Sequence, residues 1–149
     1  MNPLLKKLNF KEQKKIVVLN APEEFFEQLK DFEKYLETEE KLKDEKNTFV
    51  LAFVKEQKQI DELAPKIDAS LEGDALYWWA YPKGSSKRHK CDFNRDNGWQ
   101  IMGKLGYEPV RMVAIDEDWS ALRFRKAENI KTLTRGHEWR MSEEGKIKK

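Results

Sequence analysis

The sequence predicts an α/β fold in three layers: a mainly parallel sheet covered by helices on both faces and ending in an antiparallel β-hairpin. Three observations predict it. The runs "KKIVVLN" and "TFVLAFV" are short, continuously apolar and rich in β-branched residues, as strands covered on both faces are. Each is followed by a stretch of helical periodicity, and strands that alternate with helices need crossover connections and pair in parallel. Near the end, "EPVRMVAID" and "SALRFR" are separated only by "EDW", a connection so short that the two strands must be antiparallel neighbours.

The elements follow in order. "NPLLKKLNF" sets Leu4, Leu5 and Leu8 at helical spacing and predicts a short docking helix, and the first strand covers residues 15–19. In "APEEFFEQLKDFEKYL", Pro22 suits a first helical turn, Glu23 and Glu24 complement the positive end of the helix dipole, and Phe25, Leu29 and Phe32 form one stripe. A short strand over 35–38 and the charged turn "EEKLKDEKN" lead to the second main strand, 48–54. Ile60, Leu63, Ala64, Ile67 and Leu71 then keep a helical period, in a helix that Pro65 is expected to kink or divide. "EGD" reads as a turn and "ALYWWAY" as the next strand. From Phe93, "FNRDNGWQIMGKLG" predicts a helix with Trp99, Met102 and Leu105 on one side and Gly106 at its end. Residues 1–130 make one domain of ordinary size; residues 131–149 are polar, end "EEGKIKK", and are expected to form a flexible tail anchored by Trp139.

Eight Phe, five Trp and four Tyr beside 38% charged residues predict an aromatic-rich core under a very polar surface. The longest apolar runs fall far short of the ~20 residues that span a bilayer, and "MNPLLKKLNFKEQKK" lacks a signal peptide's apolar centre, so the protein reads as soluble and cytoplasmic. With one cysteine and two histidines the chain has no internal disulfide and no zinc framework; neither a metal nor a cofactor is expected. The net charge of +2 hides an asymmetry. Residues 1–75 hold 13 Lys and Arg against 17 Asp and Glu, and residues 76–149 hold 16 against 10. An anionic partner would meet the second half.

Parallel strand-helix units ending in a β-hairpin resemble the S-adenosylmethionine-dependent methyltransferase topology in a shortened, Rossmann-like form. The stretches "LNAP", "YPKGS", "DNGW" and "VAIDEDWSALRFR" are similar to the signature of an uncharacterised family of small bacterial α/β proteins, over residues 15–125. That resemblance implies a bacterial cytosolic protein of this fold and brings no activity with it.

Several candidate sites can be weighed on their chemistry. A nucleotide-binding sheet places a glycine-rich turn after its first strand; here the turn is "LNAPEEF", which has no glycine, loses an N–H donor at Pro22 and sets two glutamates where an anion would sit. A ribose-binding acid could be found among Glu37, Glu39 and Glu40, but acids are dense there. The segment "PKGSSKRHK" is better placed, because ligands of open α/β sheets bind beyond the carboxyl ends of strands. Gly84 permits close approach, Ser85 and Ser86 offer hydroxyls, and Lys83, Lys87, Arg88 and Lys90 offer positive charge, although the order is not that of a phosphate loop. Arg123 and Arg125 of "WSALRFR" are further anion candidates, because a guanidinium can hold an oxyanion through two hydrogen bonds.

Other features read as structural. Cys91 lies among cations that could lower its thiol pKa, but no oriented base accompanies it, and a partly buried structural thiol is the preferred reading. Asp116, Glu117 and Asp118 read as a turn before a metal or general-base site. Trp78 and Trp79 point to opposite faces of a regular strand, so they form no single stacking platform for bases. The sequence thus suggests a small, non-catalytic protein whose basic loop 83–90 binds a phosphorylated small molecule, a nucleic acid or an acidic protein surface. The alternatives are a divergent methyltransferase-like enzyme and a partner-binding or oligomerising module built on the tail.

Overall fold

The computed structural model describes residues 2–42 and 46–130, so the expected tail and Trp139 lie outside the described residues. The elements are α1 (Pro3–Lys7), β1 (Lys15–Leu19), α2 (Phe26–Phe32), β2 (Glu37–Glu39), β3 (Asn47–Phe53), α3 (Gln57–Ser70), β4 (Leu71–Pro82), α4 (Gln100–Lys104), β5 (Tyr107–Ala114) and β6 (Trp119–Lys126). They build one six-stranded sheet in the order β2-β1-β3-β4-β6-β5. The first four strands in that order are parallel, and β6 runs antiparallel to both β4 and β5. This is the expected Rossmann-like α/β sheet, with β6 lying between β4 and β5.

Alternation along the strands sorts the apolar residues into two cores. On one face Leu4 and Leu5 of α1, its C-cap Leu8, and Leu29 and Phe32 of α2 pack on Ile16, Val18, Phe49, Leu51, Trp78 and Ala121. On the other, Ile60, Ala64 and Ile67 of α3 and Met102 of α4 pack with Trp99 on Val17, Val50, Trp79, Leu122 and Phe124. Trp78 and Trp79 are both fully buried, one in each core, as alternation requires. No helix among the described residues is long and apolar enough to cross a membrane.

Local chemistry fixes several boundaries. Asn2 caps α1, its Oδ1 accepting the Leu5 N–H at 3.0 Å, and Pro3 opens the helix. Glu56 and Gln59 form a reciprocal capping box at the start of α3. That helix runs unbroken through Pro65, so of the expected kink or division the division does not occur. Pro65 has no N–H for the Asp61 carbonyl, and both residues are exposed, so solvent can take the missing donor's place.

Two other expectations change. "EGD" lies inside β4 as a bulge: pairing with β3 jumps from Asn47↔Leu71 to Phe49↔Leu76, and Gly73 takes a φ of +62°. The helix expected from Phe93 begins only at Gln100, because asparagines claim the backbone first. Asn94 Oδ1 accepts the N–H groups of Asp96 and Asn97, and Asn97 Oδ1 accepts that of Asn94. Gly98 follows with a φ of +93°, where an added Cβ would lie 2.5 Å from Phe93 Cβ. Helix α4 ends where expected, with Gly106 at a φ of +90°.

Candidate functional site

Three segments meet beyond the carboxyl ends of the parallel strands: residues 20–25 after β1, the long loop after β4, and the β5–β6 turn. Asn20 leaves β1 in the left-handed region, at a φ of +57°, which asparagine tolerates. Pro22 then opens a single 3-10 turn over Glu23–Phe25. From this turn Glu24 reaches across the sheet edge.

One oxygen of Glu24 is the junction. Oε2 accepts the Trp119 indole N–H at 3.2 Å, lies 2.5 Å from His89 Nε2, and stands 3.8 Å from the Arg88 guanidinium. An ionised carboxylate only accepts, so His89 Nε2 carries the proton in this pair. Partial burial pushes the Glu24 carboxyl upward. Hydrogen bonds from His89, Trp119 and the backbone, together with the electrostatic pull of His89, outweigh that and bring it from 4.5 down to about 2. The rings of Phe25, Phe53, Trp119 and His89 succeed one another at centroid distances of 4.8, 5.1 and 4.9 Å, so an aromatic row covers this edge on the α2 side.

Asp118 is the second anchor. Its backbone oxygen accepts the Lys83 N–H at 2.8 Å, Oδ1 accepts the Ser86 hydroxyl at 2.8 Å, and Oδ2 lies 3.6 Å from Arg88. Asp116 makes the turn itself, Oδ1 accepting the N–H groups of Asp118 and Trp119 at 2.8 and 2.9 Å, in agreement with a turn-forming role. Within the loop, the Ser86 N–H donates to the Lys83 carbonyl at 2.9 Å and Ser86 Oγ accepts the His89 N–H at 3.2 Å.

The eight anticipated ligand residues therefore divide. Ser86 and Arg88 hold the loop to the protein's own carboxylates. Gly84, Ser85 and Lys87 are exposed, and nothing lies within 4 Å of where a Gly84 Cβ would be. Lys83 and Lys90 line an open cleft of about 650 Å³ between the loop and the hairpin, whose walls include Tyr81, Met112, Ser120, Arg95 and Asp96. No ion pair holds Lys83, Lys87 or Lys90 among the described residues. Met112 and Ser120 lie on the strand face opposite to Arg123, so the structure does not bring Arg123 to this cleft. Arg125 is held by Asp74, its Nε and NH2 donating at 3.1 and 2.5 Å.

Cys91 also borders the cleft. Burial raises its thiol pKa, and Asp92 adds to the rise against a backbone hydrogen bond from Phe93, so the nearby cations do not activate it. The residues that sequence reasoning missed are Glu24, His89, Asp118 and Trp119 as one unit. Glu24 lies 65 and 95 positions from its two hydrogen-bond partners, a separation no local pattern encodes.

A second hollow, of about 230 Å³, lies at the other end of β4. Here charges and donors are mutually matched: the Tyr107 hydroxyl donates to Asp68 at 2.6 Å, Lys126 Nζ lies 3.3 Å from Asp68 and 4.7 Å from the Tyr107 ring centre, and Arg125 holds Asp74. Burial, then the Asp68 carboxylate, pushes the Tyr107 hydroxyl far above its usual range.

No protein-family model and no curated protein matches the chain. Two solved structures share its general course. One, from Sulfolobus solfataricus, is described as a candidate type 11 methyltransferase; it is 9% identical, with a TM-score of 0.45, over 90% of this chain and 96% of that one. The other, from Streptococcus agalactiae, is a protein of the NADB-Rossmann superfamily; it is 10% identical, with a TM-score of 0.42, over 90% of this chain and 71% of that one. Neither carries an activity over to this chain.

Proposed function

We propose that the protein binds a phosphorylated or otherwise anionic small molecule in the cleft between the basic loop and the β5–β6 hairpin. The observation that supports this reading is the division of labour within the loop. Arg88 and Ser86 are committed to Glu24 and Asp118, whereas Lys83 and Lys90 face the cleft with no carboxylate partner among the described residues. A cation without an internal partner is available to a ligand, and a concave site suits a small molecule better than a flat nucleic-acid or protein surface. Non-catalytic binding is the economical form of the proposal, since the thiol is not activated and the depressed Glu24 carboxyl is enclosed by donors. Titration with pyrophosphate and nucleotides at several salt concentrations tests it. Saturable binding that weakens with salt and disappears in Lys83→Ala with Lys90→Ala supports it; no binding at low salt overturns it. Tighter binding of oligonucleotides than of any small phosphate would move the reading to nucleic acid.

The switch in strand order between β1 and β3 favours a second reading, a methyltransferase-like cofactor site, because ligands of such sheets bind there. The proline and glutamates after β1 and the aromatic row over the edge oppose it. Calorimetry with S-adenosylmethionine separates the two: millimolar ligand without heat or thermal stabilisation removes the enzyme reading.

A further inference from the structure

We infer that Arg111 and Arg123, with the side-chain amide of Asn9, form an anion-binding site for a compact phosphate-type dianion, on the sheet face opposite the cleft and independent of it. The two arginines are directly opposed in the β5–β6 ladder, so they share a face, the one on which Val113 and Ala121 join the α1–α2 core. Like charges placed opposite each other in a sheet repel, and such a pair calls for a counter-ion. The carboxylate whose charge acts on Arg123 is that of Asp74, which Arg125 already holds with two hydrogen bonds.

The donors here are also under-used. Arg123 NH1 donates to Asn9 Oδ1 at 3.3 Å, but its Nε is buried and has no hydrogen-bond partner. A buried donor left unmade is costly, so the guanidinium gains from an oxyanion held at its outer edge, opposite the Arg111 side chain, where the remaining N–H groups can donate. Asn9 sits at a φ of +69°, in the turn after α1, and with its oxygen committed to Arg123 its amide N–H groups remain as donors. Arg111 is exposed, which leaves the site open to solvent. Burial, then repulsion from Arg125 and Arg111, depresses the Arg123 pKa against the pull of Asp74, the behaviour of a guanidinium short of negative charge. Neither arginine belongs to the network around Glu24, and the cleft lining includes neither.

The test is an NMR titration of the full chain with inorganic phosphate at constant ionic strength, following the arginine Nε–H resonances. The expected result is a saturable shift of the Arg123 Nε–H, at least fivefold weaker in Arg111→Gln and unchanged in Lys83→Ala with Lys90→Ala. An Arg123 resonance that does not move, that moves equally with chloride, or that ignores Arg111→Gln overturns the site. Arg111→Gln alters an exposed side chain, so loss of fold does not confuse the result, and the lysine variant reports on the cleft separately.

Discussion

The two ends of β4 are both ringed with charge, and they use it differently. At the amino end Asp68, Tyr107, Lys126, Asp74 and Arg125 satisfy one another. At the carboxyl end two carboxylates, Glu24 and Asp118, hold Arg88, Ser86 and His89, and three lysines of the same loop are left over among the described residues. The sum of charge does not separate the two ends; the matching does. A cluster whose donors and acceptors balance is accounted for by the fold alone. A surplus held in place by anchored neighbours is what the proposed anion site rests on, because the loop's ordering cost would be met by tethers before any ligand arrives.

The largest way to break the carboxyl-end arrangement is Trp119→Ala. This ring is buried between Phe53 and His89 and donates to Glu24, so its loss is expected to destabilise the protein by about 3–5 kcal/mol in urea unfolding, and to release the loop. Next is Glu24→Gln, at about 1–3 kcal/mol near neutral pH, with faster amide exchange confined to residues 83–90. The pH sign follows from the depressed carboxyl. Its stabilisation is fully present above its unfolded pKa of 4.5 and is lost as pH falls through about 2. The wild type should therefore lose at most about 3 kcal/mol across that window from this group, and Glu24→Gln should flatten that part of the acid limb.

At the amino end, Arg125→Ala should cost only about 0.5–1 kcal/mol, since the ion pair is partly exposed, and should leave anion binding in the cleft unchanged. The smallest effect on stability belongs to Lys83→Ala with Lys90→Ala, within about 0.5 kcal/mol of wild type, while binding is lost. If this pair destabilised more than Arg125→Ala did, the distinction between surplus and matched charge would fail.

Three stretches of the sequence acquire physical reasons in the fold. In "LNAP", Asn20 takes the left-handed conformation. In "DNGW", Asn97 helps to close an asparagine turn, Gly98 has no room for a Cβ, and Trp99 joins the core. In "DEDWSALRFR", Asp116 makes the turn, Asp118 tethers the basic loop, and Trp119 supports Glu24. Only the first of the three roles in this last stretch was legible beforehand, because Asp116 bonds its own neighbours. Asp118 and Glu24 act on residues remote in sequence, so their roles emerge only when the strands close the distance.

What the sequence by itself determined was the α/β class, the positions of the principal strands, the final hairpin, the opposed faces of Trp78 and Trp79, and the edge where the basic loop would stand. These follow from period, chirality and chain connectivity, which are local or nearly so. What only the tertiary structure decided was which charges cancel. Arg88 was indistinguishable in sequence from Lys83 and Lys90, yet among the described residues its side chain alone of the three meets the carboxylates of Glu24 and Asp118. Arg123 and Arg125 lie one alternation apart, yet one is bound to Asp74 and the other keeps a buried, unpaired Nε. Electrostatic pairing depends on distances of a few ångströms between residues far apart in the chain, and those distances are a property of the folded sheet.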